Sequence, residues 1–74
     1  MINIKDEAYL KAFGMNLRKI RKEKGLSQEK LAYKADLSLS QIGRIERGEA
    51  NPTICTVKII AEALNESPYK LFIP

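Results

Sequence analysis

Three polar side chains in the middle of the sequence have the spacing of one helical face. Ser40, Arg44 and Arg47 stand at positions i, i+4 and i+7, which lie on the same side of an α-helix. A guanidinium presents two parallel N–H donors that match the acceptor pair on the major-groove edge of guanine, and a serine hydroxyl bonds to several bases. Leu39 and Gly43 are expected beside them on the exposed side. These residue types favour contact with base pairs of duplex DNA.

Gly43 and Glu46 stand out within the same segment. A glycine inside a helix costs about 1 kcal/mol relative to alanine, so Gly43 indicates a close approach to the backbone, either by DNA or by another helix. Glu46 needs a cationic partner, and Arg21 is the candidate. Such a pair would tie the third predicted helix to the first and set its angle. The alternative is a solvated Glu46, because exposed ion pairs add little stability.

The periodicity of apolar residues predicts an all-helical chain without strands. In the first segment, which begins at about Asn3 or Asp6, the residues Leu10, Phe13 and Leu17 recur with helical spacing and form an apolar stripe. N-cap residues, glycines and prolines mark the ends of the segments. The five predicted helices cover about residues 6–24, 28–35, 39–47, 53–64 and 68–72.

The link between the second and third helices is the sharpest feature of the sequence. Ser27 and Ser38 are N-cap residues, each preceded by a leucine that can pack onto the helix that follows. Only Asp36 and Leu37 separate Ala35 from Ser38. Two short helices joined so tightly must turn sharply and share a small core, which is the geometry of a helix-turn-helix. Many helical domains contain such a corner and bind nothing, but the polar face described above favours DNA.

The length and charge of the chain set further limits. Its 74 residues fit one domain, residues 1–74, and leave no room for a separate catalytic domain. The formal net charge of +4 arises within residues 1–25, which carry seven basic and three acidic residues. This basic first helix fits a nucleic-acid partner. It equally fits the solvated end of a helix, where cations suit the helix dipole.

Several functional classes are excluded by the residue types. The chain has no His and one Cys, Cys55, with no evident base beside it, so we expect no enzyme and interpret Cys55 as a small core residue. A structural zinc site is excluded for the same reason, and no cofactor is expected. There is no apolar stretch of about 20 residues for a membrane span, and the charged N-terminus does not fit a signal peptide. We therefore expect a cytoplasmic protein.

Residues 17–32, LRKIRKEKGLSQEKLA, resemble the opening of the phage repressor/Cro-like (xenobiotic response element) helix-turn-helix family. The resemblance continues through LSQIGRIERG at 39–48 and NPT at 51–53, and covers about residues 8–72. It implies a compact five-helix domain with the third helix in the major groove of DNA. It also implies a transcriptional regulator, most commonly a repressor or an autoregulatory controller.

The resemblance also implies roles for individual residues. Gln28 would lie at the DNA backbone, where the helix N-terminus capped by Ser27 offers N–H groups to phosphate, and would brace the first residues of the third helix. Arg47 would make another backbone contact, and Arg21 with Glu46 would form a buried or half-buried pair. The positions that match the family's base readers are Ser38, Leu39, Ser40, Gly43 and Arg44.

Leu39 departs from the family pattern. Some members carry a glutamine at this position, which pairs with adenine. A leucine makes only apolar contacts, so Leu39 would touch a thymine methyl group or face a partner protein.

A protein-interaction module, such as an antitoxin or adaptor with the same fold, is the rival interpretation. If the chain binds DNA, we expect a homodimer on a palindromic operator, because one recognition helix spans only a few base pairs. The third helix must face DNA, so the partner surface is predicted on the fourth and fifth helices. One of Leu71 and Phe72 is expected to close the core instead. The candidates are Ile59, Tyr69, Leu71, Phe72 and Ile73.

Overall fold

The computed structural model describes residues 6–74, which form four α-helices and a C-terminal 3₁₀-helix, with no strand in that range. The all-helical prediction is confirmed. The alternative start of the first helix at Asn3 lies outside the described residues. The elements are α1 (Glu7–Glu23), α2 (Gln28–Ala35), α3 (Leu39–Glu46), α4 (Ile54–Ala63) and the 3₁₀-helix (Pro68–Phe72).

The fifth predicted helix is present over Pro68–Phe72, but as a 3₁₀-helix and not as a fifth α-helix. The amide of Lys70 donates to the carbonyl of Ser67 three residues earlier, at 3.0 Å, which is the bond of a 3₁₀-helix. At Ile73 the backbone is already extended, with φ −105° and ψ 120°. The segment has only five residues before the backbone becomes extended, so it forms hydrogen bonds between residues three apart and not the four-residue bonds of an α-helix.

Each α-helix begins at a side chain that accepts a hydrogen bond from its first turn. Asp6, Ser27, Ser38 and Thr53 are these N-caps. In α3 the cap is reciprocal, because Gln41 Oε1 accepts the Ser38 amide at 2.9 Å while Ser38 Oγ accepts the Gln41 amide at 3.0 Å. Local sequence thus fixes where α3 starts.

The turn between α2 and α3 depends on a left-handed residue. Asp36 adopts φ 56° and ψ 42°, a conformation that aspartate tolerates better than most residues. The amide of Leu37 then returns to the carbonyl of Ala32 at 3.0 Å. The chain turns sharply here, and α2 and α3 pack on each other as a helix-turn-helix.

The core lies between all five elements. Asn16, a buried polar residue of α1, donates from Nδ2 to the carbonyls of Lys70 and Leu71, both at 2.9 Å. It thereby fastens the 3₁₀-helix to α1. The side chains that are completely or almost completely buried are Leu17, Leu31, Ile42, Ile60, Leu64 and Leu71.

The expectation that Cys55 lies in or near the core is wrong, because Cys55 is exposed. The buried positions of α4 are Val57, Ile60 and Ala61. Cys55 is two residues before Val57 and so points away from that stripe. Among the helices within residues 6–74, none combines the length and apolar character needed to cross a membrane.

Candidate nucleic-acid interface

The outer face of α3 is polar and exposed, whereas its inner face is buried. Ile42 and Ile45 point into the core. We call the opposite side of α3 the recognition face. Its exposed side chains are Ser38, Leu39, Ser40, Arg44 and Arg47. The structure thus brings four of the five predicted base readers to one exposed surface.

Gly43 is the exception. It was expected to be exposed, and it is buried, because the side chain of Arg47 folds back across it. A Cβ atom at Gly43 would lie 2.9 Å from Nη1 of Arg47. The group that approaches this glycine in the free protein is therefore an arginine from the next turn and not another helix.

Glu49 holds Arg47 in this position. Nε of Arg47 donates to Oε2 of Glu49 at 3.0 Å, and both side chains are more than half exposed. The Glu49 carboxylate raises the pKa of Arg47 above its usual value, first by accepting this hydrogen bond and second by its opposite charge. The positive charge of Arg47 therefore lies at the end of the recognition face, in contact with a carboxylate.

The last turn of α3 lies directly on the backbone of α1. A Cβ atom at Gly14 would come within 3 Å of main-chain atoms of Ile45 and Glu46. On the other side of the contact, Gly48 has φ +73° and packs against Lys11. Sequence analysis did not identify Gly14, although a glycine in the middle of an apolar helical stripe is an available sign of close helix packing.

An ion pair fixes the same contact. Nε of Arg21 donates to Oε2 of Glu46 at 2.6 Å, and Nη2 donates to Oε1 at 3.0 Å. Both residues are only 6% exposed, so the alternative of a solvated Glu46 is wrong. The third nitrogen, Nη1, donates to the carbonyl of Leu26 at 2.8 Å. A two-point pair of this kind restricts the rotation of α3 as well as its distance from α1.

Gln28 joins this network from the first position of α2. Its Nε2 donates to Oε1 of Glu46 at 2.9 Å. We expected Gln28 to brace the first residues of α3. Its side-chain amide instead contacts Glu46, the last residue of α3. Ser27, just before it, is exposed and uses its hydroxyl to cap the amide of Lys30. The start of α2 is therefore joined to the end of α3.

The basic residues in the second half of α1 and at its C-cap, Lys24, divide into two groups. Arg21 points inward to Glu46, and Lys24 pairs with Glu66 at 2.8 Å, which lowers the pKa of Glu66 through that hydrogen bond and charge. Others remain exposed to solvent: Arg18, Lys19 and Lys22. The exposed group is available to an anionic partner.

The apolar residues predicted for a partner surface do not share one environment. Leu71 is completely buried, whereas Phe72 is 47% exposed, so one of the two closes the core as predicted. Ile73 lies in a shallow depression beside Ile20 of α1. The remaining two candidates are exposed as well: Ile59 and Tyr69.

Phe72 belongs to a separate apolar groove of about 600 Å³ between the N-terminal parts of α1 and α4 and the 3₁₀-helix. Its ring packs on Phe13 with the centroids 5.0 Å apart. Ile54, the first residue of α4, lines the groove and is 89% exposed. Sequence analysis did not find this groove. Its other apolar lining residues include Tyr9, Leu10, Val57 and Pro68.

Four packed α-helices with a tight α2–α3 corner and an exposed polar face on α3 define a helix-turn-helix domain. The chain belongs to the helix-turn-helix family HTH_3, whose model matches residues 17–71. The resemblance to repressor-like helix-turn-helix proteins is thus confirmed.

Similar proteins are regulators and controllers. The chain is 38% identical over 64 residues to the uncharacterized HTH-type transcriptional regulator y4dJ of Sinorhizobium fredii, covering 86% of this chain and 83% of that protein. It superposes on the restriction-modification controller protein C.AhdI from Aeromonas hydrophila with a TM-score of 0.87 at 43% identity, covering 88% of this chain and 98% of the other. The controller C.Esp1396I, solved as a tetramer with its natural 35 base-pair operator, gives 0.82 at 37% identity, covering 90% and 88%.

Proposed function

We propose that this protein is a transcriptional regulator that binds duplex DNA sequence-specifically, as a repressor or an autoregulatory controller, with α3 in the major groove. The proposal rests on the exposed polar face of α3, because the C-terminal end of that helix is fixed to α1. A helix held in this way presents its side chains at a defined angle, which base readout requires. The operator complex of C.Esp1396I supports DNA over the antitoxin or adaptor alternative. No enzymatic activity is part of the proposal.

Each residue has a role in this proposal. Arg44 makes the main base contact, with two hydrogen bonds to a guanine, and Leu39 touches a thymine methyl group. Ser27, Gln28 and Arg47 contact the DNA backbone, and Arg21 with Glu46 orients α3. The other proposed base readers are Ser38, Ser40 and Gly43.

The proposal includes a homodimer that reads a palindromic operator with half-sites about one helical turn apart. Two copies double the base contacts, which one short helix cannot supply alone. The exposed apolar residues of α4 and the 3₁₀-helix, with Ile54 and Phe72 among them, support a partner surface there, away from α3. A regulator of this kind acts in the compartment that holds the DNA, so we propose the cytoplasm.

The first test is the salt dependence of binding to a mixed-sequence duplex, measured by fluorescence anisotropy. We expect weak affinity, with a Kd of about 10⁻⁴ to 10⁻⁶ M near physiological salt, and a linear fall of log affinity with log salt. Arg47→Ala should lower that slope by about one unit. Lys58→Ala removes the same charge from α4 and should leave the slope unchanged. Affinity that is absent at low salt, or independent of salt, would contradict DNA binding.

Selection of bound fragments from a random duplex pool then gives the preferred sequence. A palindromic preference would support the dimer, and a single half-site would contradict it. A pool that shows no enrichment would restrict the function to nonspecific DNA binding.

A further inference from the structure

In the free protein, Arg47 lies in a position that the proposed docking of α3 on DNA would change. Its guanidinium lies across Gly43, with Nη1 2.9 Å from the place where a Cβ atom would stand, and its Nε is bound to the Glu49 carboxylate at 3.0 Å. The side chain therefore covers the one place on α3 where the backbone has no side chain of its own.

The proposed docking of α3 requires two contacts that Arg47 prevents in its present position. Gly43 would allow the backbone of α3 to approach the bases, and Arg47 would bind a phosphate. For the backbone to approach the bases, the guanidinium must leave Gly43. For Arg47 to bind the phosphate, a phosphate oxygen must replace Glu49 as the acceptor. Both changes are a single movement of one flexible side chain whose far end is exposed.

We propose that Glu49 is an intramolecular competitor of the DNA phosphate for Arg47, and so lowers the affinity of the protein for duplex DNA. The inference rests on the proposed function. Carboxylate and phosphate oxygens accept the same charge-assisted hydrogen bonds from a guanidinium. When α3 docks, a phosphate replaces the Glu49 carboxylate, Arg47 moves off Gly43, and the bare backbone of α3 meets the groove. Glu49 sets how readily this exchange occurs.

The size of the effect follows from the exposure of the pair. Ion pairs between exposed side chains are weak, so loss of the competitor should strengthen DNA binding by about two- to fivefold. Because the exchange involves the phosphate backbone, the gain should be similar for an operator and for a mixed-sequence duplex.

The test compares Glu49→Gln with Glu62→Gln in the full chain, at physiological salt. Gln keeps the shape of the side chain and removes its charge. Glu62 lies on α4, is exposed to a similar degree and is paired with Lys58 at 3.6 Å, so it controls for the change in net charge. Both variants are also made together with Arg47→Ala. Affinity is measured with the mixed-sequence duplex, and the Nε–Hε resonance of Arg47 is followed by NMR in the free protein.

Glu49→Gln is expected to shift the Arg47 resonance and to bind DNA about two- to fivefold more tightly, whereas Glu62→Gln does neither. In the Arg47→Ala background the gain from Glu49→Gln should disappear. A gain that persists without Arg47 would mean that Glu49 repels the DNA directly, and equal effects of the two glutamine variants would mean a general charge effect. Either result overturns the inference alone. If the unmodified protein binds no duplex, the proposed function fails and the inference fails with it.

Discussion

The recognition face and the apolar groove are built in different ways. The recognition face belongs to one short helix and its two caps, so all of its residues lie between Ser38 and Arg47. The groove collects side chains from three elements, so that Tyr9 of α1 lines the same surface as Phe72 of the 3₁₀-helix. A surface carried by a single helix can be recognised in the sequence, whereas a surface shared by distant segments emerges only when the chain has folded.

Both surfaces depend on α1. On one side, Gly14 and Arg21 fix the end of α3. On another side, Asn16 fastens the 3₁₀-helix that forms one wall of the groove. The difference lies in the contacts, because the recognition face is polar with a charged support, while the groove is apolar. We expect the two surfaces to respond differently to substitution.

The largest effect is expected at the Arg21–Glu46 pair. Glu46→Leu or Arg21→Met leaves the opposite charge buried and should cost about 3–5 kcal/mol in the free energy of unfolding. The double variant replaces the pair by apolar side chains and should recover most of that loss. A double-mutant cycle from urea denaturation measures the coupling. Additive costs would show that the pair contributes no coupling.

The same variants separate orientation from stability. If the pair orients α3, the double variant will be folded and stable but weak in operator binding, because α3 has lost its two-point attachment. Operator affinity equal to that of the unmodified protein would assign the pair to stability alone.

The next largest effect is expected at Gly14. Gly14→Val places a side chain against main-chain atoms of Ile45 and Glu46, which cannot rotate away, and should destabilise the fold by about 3 kcal/mol. Ala12→Val adds the same side chain at an exposed position of α1 and should cost only about 0.5 kcal/mol through helix propensity. Equal free energies of unfolding for the two variants would contradict the backbone contact between α1 and α3.

Base readout is expected to follow in size. Arg44→Ala should cost about 1–3 kcal/mol in operator affinity and relax the preference at one position of each half-site. Selection from a random pool with each variant gives the two sequence profiles. An unchanged profile with unchanged affinity would remove Arg44 from the base readers. Gln28→Ala should instead weaken specific and nonspecific binding alike, because its proposed contact is the DNA backbone.

Features that depend on contacts within one helical turn can be predicted from the sequence. Ser38 was predicted as an N-cap because its hydroxyl acts within one turn, and the tight corner at Asp36 follows from caps on both sides. Gly43 shows the limit of such predictions. A glycine inside a helix indicates that another group comes close to the backbone. Which group it is depends here on the rotamer of Arg47 and on its contact with Glu49. Cys55 was expected in or near the core because the apolar pattern did not show which side of the first turn of α4 faces inward.

Contacts between distant segments of the chain could not be predicted from the sequence, for a different reason. Asn16 precedes Lys70 and Leu71 of the 3₁₀-helix by 54 and 55 residues, and no spacing rule links them. Gly14 and α3 are related in the same way. These contacts depend on how the helices stack, so they appeared only in three dimensions, whereas the Arg21–Glu46 support of α3 was predicted from the charges of the two residues. The residues of the recognition face lie within one short segment, 38–47.

The smallest expected effect distinguishes two locations for the dimer surface. Ile54 and Phe72 belong to the groove, whereas Ile73 lies in the separate depression beside Ile20. If the partner covers the groove, Ile54→Asp should weaken the dimer by more than about 1 kcal/mol, and Ile73→Asp should have little effect. Sedimentation equilibrium at micromolar concentration measures the association. The reverse order would place the partner at the end of the 3₁₀-helix, and a strict monomer that occupies its operator as one copy would contradict the dimer. Since Ile54 is 89% exposed, its substitution should leave the fold intact, and any loss of operator affinity would then come from the loss of the second recognition helix.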